Sequence, residues 1–169
     1  MDQSPIKKLS VSLDVNDEIR QVEIRPVDTL LYVLRTKLGL TGAKPGCLNG
    51  DCGACSVVMN DTVYKSCIML AIEAIGQKIT TIEGLKDSPI QKAFVENFAF
   101  QCGYCTPGFI MNCHSLLLKH PHPSYEMMKE WLSSNICRCT CYEEIEGAVL
   151  SVIENREKPI NTELEKDKQ

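Results

Sequence analysis

The residues with the greatest capacity for chemistry in this sequence are its ten cysteines, eight of which fall into two groups. The first group is Cys47, Cys52, Cys55 and Cys67, with the spacing C-x4-C-x2-C-x11-C. The spacing of its first three cysteines is known from loops that bind a [2Fe–2S] cluster through four thiolates. Zinc sites more often use two C-x2–4-C pairs with a longer spacer between them. The spacing therefore predicts a [2Fe–2S] cluster rather than a zinc knuckle or buried structural thiols.

The residues around the first group also fit a loop that wraps a cluster. Three of its cysteines lie within nine residues, and four glycines accompany them: Gly42, Gly46, Gly50 and Gly53. Glycine permits positive φ and close approach of the backbone. Backbone N–H groups in such a loop can donate to cluster sulfurs and stabilise the reduced, more negative state. We therefore expect the loop to serve electron transfer.

The second group combines Cys102 and Cys105, a C-x2-C pair, with Cys137 and Cys139, a C-x-C pair. Each pair precedes a predicted helix, and helix N-termini favour thiolates. If two helix starts meet, they can form a four-sulfur site despite the 31 residues between the pairs. By spacing alone, either a second [2Fe–2S] cluster or a zinc ion fits this group.

Length, composition and charge exclude several classes of protein. The 169 residues suit one mid-sized domain or two small ones, and 44% are hydrophobic. The net charge of −4, without a run of Lys or Arg, argues against a nucleic-acid partner. There is no segment of roughly 20 apolar residues and no signal-peptide pattern after residues 1–5, so we expect a cytoplasmic protein without a membrane partner. Ten cysteines in the reducing cytosol indicate metal binding.

Two parts of the chain, which differ in their pattern of apolar and polar residues, must position the cysteines. In the first part, apolar and polar residues alternate, Asn16–Asp17 supplies a turn, and Thr29 caps a short helix closed by Gly39. Strands are predicted at residues 9–15, 22–24, 56–59, 62–64 and 78–82. This pattern predicts a small mixed sheet that holds one helix.

From about Ser88 the pattern becomes helical. Four short amphipathic helices are predicted, starting near Pro89, Pro107, Ser124 and Ile145. The predicted apolar faces include Phe98 in the first helix, Cys113 in the second and Tyr125 in the third. We interpret Cys113 as a buried, inert thiol. Four such helices suggest a small bundle.

The two cysteine motifs resemble those of the molybdenum hydroxylases, the family of xanthine dehydrogenase and aldehyde oxidase. GCLNGDCGAC at residues 46–55 and KSC at residues 65–67 resemble the family's first-cluster loop and its fourth ligand. QCGYCTPG at residues 101–108 with NICRCT at residues 135–140 resembles its second-cluster motif. The match runs in order from about residue 8 to 155. The chain resembles the separate small iron–sulfur subunit of bacterial three-subunit enzymes.

This resemblance implies an α+β fold, with a plant-type ferredoxin-like β-grasp domain over residues 1–86. A four-helix bundle domain over residues 87–156 and a charged tail over residues 157–169 would follow. The resemblance also implies two [2Fe–2S] clusters with eight ligands: Cys47, Cys52, Cys55, Cys67, Cys102, Cys105, Cys137 and Cys139.

The resemblance further implies two partners, a large subunit with a molybdopterin cofactor and a medium subunit with FAD. Electrons would pass from molybdenum to the helical-domain cluster, then to the N-terminal cluster and to FAD. In the family, the residue at the position of Gln101 contacts the pterin, and the cysteine at the position of Cys139 lies close to it. The chain alone shows no nucleophile–base pair or dinucleotide fingerprint, so we expect it to be an oxidoreductase subunit without catalysis of its own.

Two positions depart from the family pattern. Pro45 stands where an acidic residue is common, and Cys141 stands where glycine is usual. Three interpretations of Cys141 remain: a thiol without a role, an alternative ligand, or a redox-reactive thiol.

Several functions are compatible with these features. We favour the small subunit of a xanthine dehydrogenase, in purine metabolism, because that enzyme is the most widespread member of the family. The alternatives are the small subunit of an aldehyde, nicotinate or carbon monoxide dehydrogenase, a free ferredoxin-like carrier, and a zinc-binding interaction module.

Overall fold

The computed structural model describes residues 7–157 of the chain. The strands in this part are β1 (Leu9–Val15), β2 (Glu18–Ile24), β3 (Ser56–Met59), β4 (Thr62–Lys65) and β5 (Lys78–Thr80). The α-helices are α1 (Leu30–Tyr32), α2 (Pro89–Glu96), α3 (Thr106–Lys119), α4 (Tyr125–Leu132) and α5 (Glu143–Glu157). Of the predicted tail, Glu157 ends α5, and the remainder lies outside the described residues.

The five strands form one mixed sheet in the order β2-β1-β5-β3-β4. β1 and β5 are parallel, and the other neighbouring pairs are antiparallel. Leu30 and Leu34 pack with Leu13, Val57 and Ile79 in one core between the helical segment and the sheet. The predicted mixed sheet that holds one helix is confirmed.

Two tight turns set the register of the two hairpins. The turns Asn16–Asp17 and Asn60–Asp61 have positive φ at both residues, between 47° and 64°. Two-residue turns with this backbone match the natural twist of paired strands, and Asn and Asp tolerate them better than most residues do. These turns are those that the sequence predicts.

The helix after β2 departs from the predicted regular form. The Thr29 side chain accepts a hydrogen bond from the Tyr32 backbone N–H at 3.2 Å, which confirms the predicted cap. The helix then widens into one π-helical turn, Val33–Lys37. From this turn the Arg35 guanidinium donates to the carbonyl oxygens of Thr41 and Ala43, and so holds the chain that enters the first cysteine loop.

The helices α2 to α5 share a second hydrophobic core. It includes Phe94 of α2, Phe109 of α3, Met128 of α4 and Val149 of α5. Ser88 and Ser124 cap α2 and α4 by accepting from backbone N–H groups three residues ahead. The four predicted helices are confirmed, whereas a regular bundle geometry stays a prediction. None of the helices in residues 7–157 is long and apolar enough to cross a membrane.

Two residues that the sequence pattern places on apolar helix faces are exposed to solvent. Phe98 is 79% exposed with φ +52°, because α2 ends at Glu96 and the chain turns after Asn97. Tyr125 is exposed at the first turn of α4, where its hydroxyl hydrogen-bonds to Glu146. Strand β5 also ends at Thr80, before the predicted limit, and a short 3-10 turn follows.

Candidate functional site

The first cysteine group lies in the loop between α1 and β3 and at the end of β4. The Cys47 backbone N–H donates to Cys52 Sγ at 3.3 Å, and the Cys52 N–H donates to Cys47 Sγ at the same distance. Positive φ values at Gly50 and Gly53 let the loop curl around these sulfurs. A Cβ on Gly46 would lie 2.5 Å from Cys52 Sγ, so this cradle requires glycine.

The loop places its thiols in very different environments. Hydrogen bonds from the backbone N–H groups of Cys52 and Asn49 lower the pKa of Cys47 to about 6. Burial, together with the adjacent Cys55 thiol, raises the pKa of Cys67 to about 12. Metal binding at this group would therefore release a proton from Cys67, whereas Cys47 is largely a thiolate at neutral pH.

The second group forms between the start of α3 and the loop that connects α4 to α5. Cys139 Sγ lies 3.6 Å from Cys102 Sγ. Cys105 contacts Cys137. Burial is the main cause that raises the pKa of Cys105 to about 12, and the contact with Cys137 adds to it. Burial acts to raise the pKa of Cys137, but hydrogen bonds from Thr140 outweigh it and lower that pKa. The second group thus brings all four predicted cysteines together.

At both sites the sulfurs approach one another in pairs. The pairs are Cys47 with Cys52, Cys55 with Cys67, Cys102 with Cys139, and Cys105 with Cys137. Among the described residues, no three His, Cys, Asp or Glu side chains are arranged to hold a single metal ion. A [2Fe–2S] cluster takes two ligands on each of its two irons. The paired thiols and the glycine cradle therefore fit the donor set of such a cluster.

The two sites touch through a backbone link. The Ile136 N–H donates to the Cys52 carbonyl oxygen at 3.0 Å, and Ile136 immediately precedes Cys137. The Asn135 Nδ2 donates to the Gly53 carbonyl oxygen at 3.1 Å. One hydrogen bond and one residue of chain thus separate a cysteine of the first site from a cysteine of the second.

Sequence reasoning missed the residues that build this link. Asn135 and Asn112 are almost fully buried, and Asn112 Nδ2 donates to Asn135 Oδ1 at 3.0 Å. Lys65 Nζ donates to the Ser134 carbonyl oxygen at 2.6 Å. The available signal for Asn112 was a polar side chain on the inward face of α3, next to Cys113.

The remaining predicted residues divide by exposure. Gln101, Cys102 and Cys139 are exposed together on the surface of the second site, and Cys141 is exposed nearby in sequence. Cys113 is fully buried in α3, where desolvation raises its pKa to about 12. The predicted burial of Cys113 is confirmed, and the three interpretations of Cys141 remain open.

Comparison with known proteins matches both halves of the chain. A family described as "2Fe-2S iron-sulfur cluster binding domain" matches residues 13–78, and one described as "[2Fe-2S] binding domain" matches residues 81–150. The chain is 42% identical over 153 residues to a nicotinate dehydrogenase small FeS subunit of Eubacterium barkeri, with 88% of this chain and 98% of the relative covered.

Two further relatives extend the likeness to a different enzyme and to a solved structure. The chain is 41% identical to a probable xanthine dehydrogenase subunit of Bacillus subtilis (strain 168), with 82% of each chain covered. It matches the crystal structure of quinoline 2-oxidoreductase from Pseudomonas putida 86 with a TM-score of 0.83 and 36% identity, covering 90% of this chain and 99% of that one. The chain belongs to the molybdenum hydroxylase family, as an electron-transfer iron–sulfur subunit.

Proposed function

We propose that the chain relays single electrons between two [2Fe–2S] clusters, held by its eight paired cysteines. The first cluster would be bound by Cys47, Cys52, Cys55 and Cys67, and the second by Cys102, Cys105, Cys137 and Cys139. The observation that carries the proposal is the pairing of these sulfurs at two sites joined by a direct backbone link. When bound, each cluster supplies a centre that takes up and releases one electron.

The protein's own residues support a relay from one site to the other through the chain. Cys102 and Cys139 are exposed, and Cys47 is exposed at the other site, so each site has a side open to a partner. Cys55, Cys67 and Cys137 are buried, which keeps water from the interior side of each site. The hydrogen bond from the Ile136 N–H to the Cys52 carbonyl oxygen offers the short connection between them.

We further propose a large partner subunit with molybdopterin at the second site and a medium partner subunit with FAD at the first. The exposed Gln101 would contact the pterin beside Cys139. Residues 1–86 and 87–156 would act as the two cluster-binding domains, the second of them a four-helix bundle, and residues 157–169 as a charged tail. The complex would be cytoplasmic.

In the proposed complex, the large subunit would bind the substrate. We favour xanthine because its dehydrogenases are the most widespread members of the family, and one relative is named for that substrate. Other relatives are named for nicotinate, nicotine and quinoline. These four compounds are nitrogen heteroaromatics, whereas further relatives, 37% and 43% identical, are named as aldehyde oxidoreductases. We therefore propose hydroxylation of a nitrogen heteroaromatic ring or of an aldehyde, and retain xanthine as one candidate.

The test is the iron, sulfide and zinc content of the anaerobically purified full chain, with EPR after dithionite reduction. About four irons and four sulfides per chain are expected for two [2Fe–2S] clusters, together with two distinct EPR signals. Two irons with one zinc would leave a cluster at one site only and overturn the relay.

Co-purification distinguishes the subunit from a free electron carrier. A tagged chain expressed in its native host should retain two larger chains that contain molybdenum and flavin. Recovery of the cluster-loaded chain alone would favour the free ferredoxin-like carrier.

A further inference from the structure

The side chain of Lys65 lies between the two cysteine sites. It extends from the last residue of β4, and its Nζ donates to the Ser134 carbonyl oxygen at 2.6 Å. A Cβ built on Gly53 would lie 2.8 Å from the same Nζ. The ammonium group therefore rests against the loop between Cys52 and Cys55.

This ammonium group has no carboxylate partner among the described residues. Lys65 is half-buried, and none of the ion pairs within residues 7–157 includes it. Its acceptors, the Ser134 carbonyl and the Ser56 hydroxyl, are both neutral. A half-buried charge without a counter-charge is unfavourable, so a counter-charge is expected close by.

The first cysteine site, when it holds a cluster, would supply that counter-charge. The Lys65 Nζ lies against Gly53, which stands between Cys52 and Cys55 in the chain, and Lys65 pairs across the sheet with Ser56, the residue after Cys55. The ammonium group therefore lies beside the loop that carries these cysteines. A [2Fe–2S] centre with four thiolates would carry about −2 when oxidised and about −3 when reduced.

We propose that the ammonium group of Lys65 raises the reduction potential of the cluster held by the first site and thereby favours electron flow towards it. The inference rests on the proposed function. The step is the transfer of one electron: the second cluster is oxidised, the first is reduced, and no bond or proton is exchanged. A fixed positive charge stabilises the more negative, reduced state more than the oxidised one.

The test is a redox titration of the anaerobically purified, cluster-loaded full chain, followed by EPR. Lys65→Met removes the charge and keeps the length of the side chain, whereas Lys65→Arg keeps the charge. We expect Lys65→Met to lower the equilibrium constant for reduction of the first cluster about tenfold, which corresponds to a fall of about 59 mV. Lys65→Arg should stay near the wild-type potential, and the second cluster should change less than the first.

A matched control separates the local effect from overall charge. Lys92→Gln removes the same charge from an exposed position on α2 and should leave the first potential unchanged. Cys67→Ser alters one sulfur of the first site and so identifies its EPR signal. If Lys65→Met fails to fold, Lys65→Gln keeps a donor for the Ser134 carbonyl without the charge.

The inference is overturned by an unchanged first potential in a Lys65→Met or Lys65→Gln chain that retains its iron and sulfide. An equal fall in Lys92→Gln, or an equal fall of both clusters, also overturns it. If the proposed function itself is wrong, the result is different, because the wild-type chain would not contain two [2Fe–2S] clusters.

Discussion

At the scale of single residues, the contact between the two cysteine sites depends on the absence of two side chains. A Cβ on Gly108 of α3 would lie 2.2 Å from the Gly53 carbonyl oxygen. A Cβ on Gly53, which has φ +70°, would lie 2.3 Å from Asn135 Nδ2. The first contact is with backbone, which cannot rotate aside. Glycine at these positions therefore lets α3 meet the first cysteine loop.

We predict that Gly108→Ala destabilises the chain by about 1–3 kcal/mol, because the helix and the loop must separate to admit a methyl group. Thermal unfolding of the cluster-loaded chain measures the effect. Gly147→Ala is the matched control, since the methyl group it adds to α5 would lie 3.9 Å from the nearest atom outside that helix. Replacing that helical glycine should instead stabilise by about 0.5–1 kcal/mol. Equal effects of the two substitutions would contradict the role of Gly108.

His114 gives the chain a pH-dependent stability. Burial lowers its pKa from the ordinary value of 6.5, and Arg156 adds to that, while Asp61 opposes it. The folded state therefore prefers the neutral imidazole. Its stabilising contribution is complete above the unfolded pKa of about 6.5 and is lost as the pH falls through the lower folded value.

We predict that unfolding midpoints of the wild-type chain fall between pH 7.5 and pH 5.5 more steeply than those of His114→Gln. The glutamine variant lacks the titrating group but retains a polar side chain of similar size. Identical slopes for the two chains would exclude His114 as the source.

At the scale of elements, the segment between α4 and α5 is fastened to the first cysteine loop. Asn135 bridges the two by donating to the Gly53 carbonyl and accepting from Asn112. The Ile136 backbone adds the bond to Cys52. Because Asn135 is buried, water cannot replace a lost partner easily.

We predict that Asn135→Asp destabilises the chain by about 1–3 kcal/mol, because a carboxylate cannot donate to the Gly53 carbonyl. Denaturant unfolding monitored by the visible absorption of the clusters would measure the loss. Gln21→Glu, at an exposed position on β2, is the control for an added negative charge. A similar loss in the control would place the effect in charge rather than in the bridge.

Local sequence signals predicted most of the helices and strands, but they did not predict where every element ends or departs from regular geometry. The Asn16–Asp17 turn and the Thr29 cap were predictable because each acts within a few residues. Phe98 was misassigned because its spacing continues the apolar face of α2, whereas the helix ends two residues earlier. The π-helical turn Val33–Lys37 has no comparable local signal in the sequence.

The residues of the candidate site also divide into those that local sequence signals predict and those that they do not. Spacing identified eight cysteines that the structure brings into two groups, because ligand spacing reflects the reach of a loop or a helix start. The roles of Lys65, Asn112 and Asn135 could not be predicted, since their partners lie more than 20 residues away in the chain. The packing of α3 against β3 and α4 helps to bring these partners together.

At the scale of the whole molecule, the exposed side of the second site suggests where the large subunit binds. Phe98 precedes the exposed Gln101 by three residues and presents most of its ring to solvent. Aromatic residues are enriched in protein–protein interfaces relative to the rest of the protein surface.

We predict that Phe98→Asn weakens binding of the large subunit about tenfold while leaving the fold intact, because Asn tolerates the positive φ at this position. Titration calorimetry with the cofactor-loaded large subunit would measure the change. Ile19→Thr, which removes an exposed apolar group from the edge strand β2, is the control and should bind normally. Equal losses in both variants would argue against a contact at Phe98.

The uneven burial of the sulfurs has a consequence for the chain before it joins its complex. At each site one pair includes exposed cysteines, whereas the opposite pair contains Cys55 and Cys67 or Cys137, which are buried. Oxidants reach exposed sulfur atoms before buried ones. In air, a chain without its partners would therefore be oxidised first at the exposed cysteines of the two sites and later at the buried ones. Partner subunits would cover the exposed cysteines and so protect them from oxygen.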